Sequence, residues 1–336
     1  MEKSRKELYE QLETQRASKV ISYFTSTRQG METIIAQDTV NLFTEQLDAI
    51  GPVKRISLFL YTTGGSTSAA WNIVNLIQMF CDELEIIVPS LARSAGTLIC
   101  LGASKIIMTK QATLGPIDPS VNTPLNPLIP NAGQNAKVPV SVEAIKGYIE
   151  LAQKEMGVKD GIGLANILIK LSESVHPLVL GEAMRSRSQI KMLAEKLLRT
   201  QITNKKIIKK IIAFLCSESG SHDYTINRRE ALGLGLNVIK PSPTEYQIIK
   251  NLYTDISNEM QMSIPFDLKT LLGVSNATTY SNKRAIIESI YGGSDYFISE
   301  GQLTKVMVNQ GAGQIQQIAI NDQRTFEGWR HFNDSI

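Results

Sequence analysis

The stretch RISLFLYTTGGS (residues 55–66) decides how the chain is read. Arg55 to Tyr61 is a short, mostly apolar run with β-branched and aromatic members, closed by Gly64 and Gly65, the pattern of a strand in a well-covered sheet. Working outward, Ser66 to Cys81 reads as a helix and Glu85 to Pro89 as a strand. Ser94 to Leu101 follows as a helix of small residues, and Lys105 to Thr109 as another strand. Alternation of this kind predicts βαβ units and a largely parallel sheet flanked by helices, an α/β fold.

Upstream, Lys19 to Thr25 reads as a first strand, Asp38 to Ile50 as a helix, and residues 1–16 as a charged helix. Downstream, residues 116–139 are rich in Pro, Asn and Gly and read as a long loop, a length that is often functional within a compact domain. Helical patterns return at Val142–Met156, His176–Thr200 and Thr203–Cys216, and Asn227–Leu234 runs into a short strand, Leu236–Ile239. The tail from residue 246 is less regular, with strand-like alternation at Lys305–Val308 and Ile315–Ile320.

The chain has 336 residues, enough for one large domain or two. Lys and Arg number 35 against 32 Asp and Glu, a net charge of +3, which argues against a protein that grips nucleic acid by charge. The lysine-isoleucine run 204–214 is read accordingly as an amphipathic helix with buried isoleucines and solvated lysines. Cys81, Cys100 and Cys216 are widely spaced, which disfavours both a disulfide scaffold and a cysteine zinc site. The N-terminus shows no apolar signal-peptide core. The most apolar stretch, 84–108, is interrupted by Glu85, Pro89, Arg93 and Lys105, so no membrane span is expected and the expected location is cytoplasmic. Only three histidines occur: His176, His222 and His331.

Two turns carry candidate chemistry. Gly64 and Gly65 stand between a strand and a helix, where glycines permit positive φ and backbone N–H groups can receive an oxyanion. The second turn is SLARSAGT (90–97), again between strand and helix. There Ser94 is either an N-cap or an exposed nucleophile at a strained elbow. In the second case the N–H of Ala95, joined by that of Gly65, would stabilise a tetrahedral intermediate.

The succession of strand, TTGG, helix, strand, ARSAGT, helix and strand resembles the Clp protease/crotonase superfamily. It is most similar to the serine dehydrogenase proteinase (SDH proteinase) family, a signal-peptide-peptidase-like branch. LGPIDP (114–119), SHDYTI (221–226) and REALGLGL (229–236) extend the resemblance to residues 20–245. It implies a ClpP/crotonase-like spiral of ββα units, divided here into an N-terminal helical arm (1–18), a catalytic domain (19–245) and a C-terminal α+β extension (246–336). It further implies a serine peptidase acting on a peptide or protein substrate through Ser94, a homo-oligomer, and no metal or organic cofactor. Two alternatives share the fold: a crotonase-like acyl-thioester enzyme, and a non-catalytic oligomeric scaffold.

The proton acceptor is the open point. The Clp pattern places a histidine where this chain has Ile117, so the ordinary triad is absent. Asp223 falls on the aspartate position, and its neighbour His222 is the candidate replacement base, with Asp223 or Asp118 orienting it. Signal-peptide-peptidase relatives use a lysine instead, for which Lys137, Lys146 and Lys154 lie at suitable distances along the chain. His176 reads as a capping or packing residue, His331 as an exposed one, and Arg93 as an ion-pairing residue or one that binds a carboxylate or a neighbouring subunit.

Overall fold

The computed structural model describes residues 3–117, 120–129, 136–218, 223–308 and 317–332. They form two compact units, one of residues 1–114 with 227–336 and one of residues 115–226.

The first unit opens with helix α1 (Lys3–Arg16), strand β1 (Lys19–Thr25), α2 (Thr39–Ile50) and β2 (Val53–Tyr61). It continues through α3 (Thr67–Gln78), β3 (Cys81–Val88), β4 (Leu91–Ala92), α4 (Ala95–Leu101), β5 (Lys105–Met108) and β6 (Thr113–Leu114). β1, β2, β3 and β5 lie side by side and parallel, each reached through a crossover helix as the alternation predicts. Strand β1 is buried on both faces. Val20 and Phe24 point into the same apolar cluster as Phe59 and Ile107, while Tyr23, one step out of phase, meets Phe43 of α2 edge-on at 5.4 Å. β3 starts at Cys81, earlier than its apolar content indicates, because Val53 and Arg55 of β2 pair with Cys81 and Glu83. Glu83 is satisfied there by Lys105 and Arg55.

The second unit holds β7 (Ser120–Val121), paired antiparallel with β8 (Val140–Ser141), and α5 (Val142–Glu150), which widens into a π-type turn at 151–155. α6 (Gly161–Ser174), α7 (Pro177–Leu198) and α8 (Lys205–Ala213) follow. Val121, Val140, Val142, Val179 and Ala183 form one apolar cluster within it. α8 is amphipathic as expected: Ile208, Ile211 and Ile212 are buried and the four lysines are exposed. α6 escapes sequence reading because its apolar residues surround the helix instead of forming one stripe. Not one of its side chains is buried.

After the short strand β9 (Ile226–Asn227) the chain enters α9 (Arg228–Leu234), β10 (Val238–Ile239), α10 (Pro243–Glu259) and α11 (Leu268–Leu272). Three long strands end it: β11 (Ala277–Ser289), β12 (Gly293–Val308) and β13 (Gln317–Phe332). β10 adds to β5 in parallel, and β11 pairs antiparallel with β1, so the sheet reads β10-β5-β3-β2-β1-β11-β12-β13. Among the described residues, the strands beyond residue 246 therefore all belong to the central sheet. α10 begins at a complete capping box, in which Ser242 accepts the Glu245 N–H and Glu245 accepts the Ser242 N–H. It packs with α1 on one sheet face, burying Tyr9, Leu12, Ile249, Leu252 and Ile256 against Phe24, Ile286 and Ile298. Arg5 lies beneath this layer, paired with Asp255, with Glu259 at 2.6 Å and with the fully buried Glu288 at 3.4 Å. Burial pushes Glu288 above the ordinary carboxylate range, against the pull of Arg5.

Candidate active site

Both candidate turns lie at the carboxyl ends of the parallel strands, the end at which open α/β sheets present their ligand sites. β2 ends at Tyr61, and Thr62 forms a bridge to Ala92: its N–H donates to Leu91 O (3.2 Å), and its carbonyl accepts from Arg93 N–H (3.0 Å). The turn carrying Gly64 and Gly65 is thereby stitched to the turn carrying Ser94. Gly96 packs on the Thr62 methyl group, where a Cβ would come within 2.5 Å of Cγ2. Thr62 Oγ1 receives the Gly64 N–H at 3.0 Å.

Gly64 and Gly65 have φ of +120° and +140°. A Cβ on Gly64 would stand 2.7 Å from Ser94 Cβ and 3.2 Å from its Oγ, so the serine hydroxyl lies directly against glycine backbone. A Cβ on Gly65 would collide with the backbone of Ile35. Both positions need glycine for conformation and for space.

Ser94 has φ +50° and ψ −115°, a backbone conformation that a non-glycine residue adopts only under restraint from its surroundings. It precedes α4, yet its side chain makes no capping hydrogen bond. Ser66, at the equivalent place before α3, has ordinary extended backbone, and its hydroxyl accepts the Ala69 N–H at 3.2 Å. The cap explanation thus holds for Ser66 and fails for Ser94. Among the described residues, neither the Gly65 N–H nor the Ala95 N–H has a hydrogen-bond acceptor. Two unclaimed amides therefore flank a strained, partly exposed serine hydroxyl.

The remaining candidates are distributed as follows. Arg93 forms no ion pair among the described residues, and its Nε is buried without a hydrogen-bond partner there. Tyr61 stays protonated at neutral pH, since burial pushes its phenol up to about 12. Burial raises the Cys81 thiol to about 11 and the fully buried Cys100 thiol further, so neither is a ready nucleophile. His176 accepts the Leu178 N–H through Nδ1 as the cap of α7, and His331 is hydrogen-bonded to the buried Asp295 at 2.8 Å. No group of three His, Cys, Asp or Glu side chains among the described residues is arranged to hold a metal ion.

The candidate bases all belong to residues 115–226. Ile117, at the expected histidine position, is fully buried and donates its N–H to Leu215 O at 2.9 Å. Asp223 is exposed. His222 and Asp118 lie outside the described residues. Lys146 bridges Glu143 and Glu150, and Lys154 pairs with Glu150 at 3.3 Å, the arrangement of surface lysines. Lys137 donates to Pro124 O, with no described carboxylate beside it. Sequence reasoning missed Ile35, the residue wedged against Gly65: it sits in an irregular segment with no motif, and only the fold brings it there.

Residues 1–139 match the family model described as ClpP-like SDH-type serine proteinase. Two Methanocaldococcus jannaschii proteins, Uncharacterized protein MJ0137 and Uncharacterized protein MJ1495, are 30% identical over 200 residues and 27% identical over 188. These alignments cover 60% and 55% of this chain and 59% and 53% of the relatives, so the chain spans little more than half the length of the curated relatives it matches. Among solved structures, a variant of the 1510-N membrane-bound stomatin-specific protease aligns at 19% identity and a TM-score of 0.39, over 74% of this chain and 89% of that one. A variant of ClpP1 from Listeria monocytogenes aligns at 15% identity and a TM-score of 0.37, over 70% of this chain and 99% of its own. No helix among the described residues is long and apolar enough to cross a membrane. Over residues 1–139, which contain Gly64, Gly65, Ser94 and Ala95, the chain is similar to the ClpP-like SDH-type serine proteinases.

Proposed function

We propose that the protein is a serine peptidase in which Ser94 is the nucleophile. The observation that carries this reading is the Ser94 backbone, held at positive φ against Gly64 while its hydroxyl does no capping work. Ser94 Oγ attacks the carbonyl carbon of a peptide bond and gives up its proton to a base. The Gly65 and Ala95 N–H groups hold the oxyanion of the tetrahedral intermediate. Collapse expels the amine, which takes the proton from the base, and water then hydrolyses the acyl-enzyme. The proton acceptor is His222, with Asp223 as its orienting partner, and Lys137 is the competing choice. A crotonase-like acyl-thioester enzyme would use the same two amides, but it gives no role to the strained serine.

The substrate is a peptide or protein, and the protein works as a homo-oligomer. Supporting the second point, Ile162, Leu168 and Ile169 of α6 are 77%, 55% and 58% exposed. A patch of this kind is typical of contact surfaces.

A fluorophosphonate probe followed by mass spectrometry tests the nucleophile. The expected adduct is on Ser94, and Ser94→Ala abolishes it. Absence of an adduct on the folded, assembled wild type would sink the proposal. For the base, His222→Ala should lose most of the labelling rate. If it labels as fast as wild type while Lys137→Ala does not, the lysine is the base.

A further inference from the structure

Gly65 is held from outside its own turn. Ile35, fully buried, donates its N–H to Gly64 O at 2.8 Å and accepts the Ser66 N–H at 2.8 Å. These two bonds bracket Gly65 and leave its own N–H pointing away, without a described acceptor. The direction of one proposed oxyanion donor is therefore set by the irregular segment 31–38, which threads past the glycine like a strap.

The strap is in turn tied to the tail sheet. Arg284 donates through Nη2 to Glu32 O at 2.6 Å and through Nε to Met31 O at 3.3 Å. Its Nη1 is anchored on Ser299 Oγ at 3.0 Å and on Glu327 at 3.1 Å, from β12 and β13. The backbone of Arg284 is engaged as well: its carbonyl accepts from Thr33 Oγ1 (2.6 Å) and from the Ser26 N–H (2.9 Å). At the other end of the strap, Trp329 Nε1 donates to Asp38 Oδ2 at 2.9 Å. Arg284 also stands where the β11–β12 register shifts, between Lys283 and Ala285. Such irregularities re-aim a side chain out of the regular alternation, here toward the carbonyls of the strap.

We infer that Arg284 is a positioning residue for the oxyanion donor of Gly65, acting through the strap 31–38, and that the tail strands serve catalysis by this route. The inference rests on the reading of Gly65 as an oxyanion donor. Two carbonyls are held by one planar fork that a lysine cannot reproduce in full. An amide aimed at a transition-state oxygen matters only once charge has developed there, so its misplacement slows the bond-forming step and leaves probe binding unchanged.

The test compares wild type, Arg284→Ala and Arg284→Lys by two measurements. In the first, fluorophosphonate labelling of Ser94 is followed against probe concentration. Arg284→Ala is expected to lower the limiting rate about 10- to 100-fold at unchanged half-saturating probe. Arg284→Lys, which keeps the charge and the anchor on Glu327, recovers part of the rate and stands in for the alanine variant should that one misfold. The second measurement is amide hydrogen exchange. Protection of the Ile35 and Ser66 N–H groups should fall at least about tenfold in Arg284→Ala while that of β2 is kept. Unchanged protection of Ile35 and Ser66 in the folded variants overturns the inference whatever the kinetics, as does an unchanged limiting rate of labelling. If the wild type is not labelled at all but the two amides still respond, the peptidase reading fails and the control of the Gly65 turn by Arg284 stands.

Discussion

Ser66 and Ser94 each follow a strand and open a helix, and nothing in residue type separates them. Their backbones do. Ser66 is extended and caps α3, whereas Ser94 sits at φ +50° with its hydroxyl turned onto Gly64. Strain of this kind costs about 1–3 kcal/mol and persists only where neighbours impose it. Here the Thr62–Ala92 bridge and the Gly96 contact with Thr62 supply the restraint. Gly64→Ala is accordingly expected to lower Ser94 labelling about 100-fold, because its Cβ displaces the serine by a fraction of an ångström to an ångström. Thermal melting of the same variant checks that the loss is local, the expected destabilisation being about 1–3 kcal/mol.

At the scale of elements, α1 shows how a charged segment becomes part of a core. The sequence KSRKELYEQLETQR reads as a charged helix, either an arm or a packing element, and Arg5, Tyr9 and Leu12 are buried. Arg5 faces Asp255 and Glu259 of α10 and Glu288 of β11, and Tyr9 donates to Glu288 at 2.8 Å. Removing the guanidinium leaves the fully buried Glu288 without its cation, while Glu259 keeps Lys283, so Arg5→Ala should lose about 3 kcal/mol in urea denaturation. A loss below about 1 kcal/mol, the size of a surface pair, would mean that water already reaches this cluster. α6 is the opposite case: an apolar element that its own unit leaves uncovered. If α6 carries the proposed homo-oligomer contact, replacing Ile162 and Leu168 by glutamate should shift sedimentation toward the monomer, and an unchanged distribution would count against that contact.

For the whole molecule, the tail is where sequence reading ends. Residues 246–336 read as an α+β extension, and runs such as Lys305–Val308 alternate without revealing their partners. In the structure β11 pairs with β1 through Ser22–Glu288 to Thr25–Ala285, so the tail continues the central sheet and reaches the segment 31–38 through Arg284. Such pairings join residues more than 250 positions apart, and no local pattern encodes them.

What the sequence by itself determined was local. Alternation of apolar runs with helical periods set the parallel strands β1, β2, β3 and β5. Glycine pairs and small residues marked both turns, because positive φ and close backbone approach demand those residue types. Whether Ser94 caps a helix or stands strained and uncommitted was decided only by tertiary structure, since a φ angle held against preference is imposed by packing from other elements. The same holds for Ile35 and Arg284, whose side chains carry no motif and gain their positions from long-range pairing. The proton acceptor stays a proposal at this scale too, because spacing along the chain does not say which of His222 and the three lysines meets Ser94.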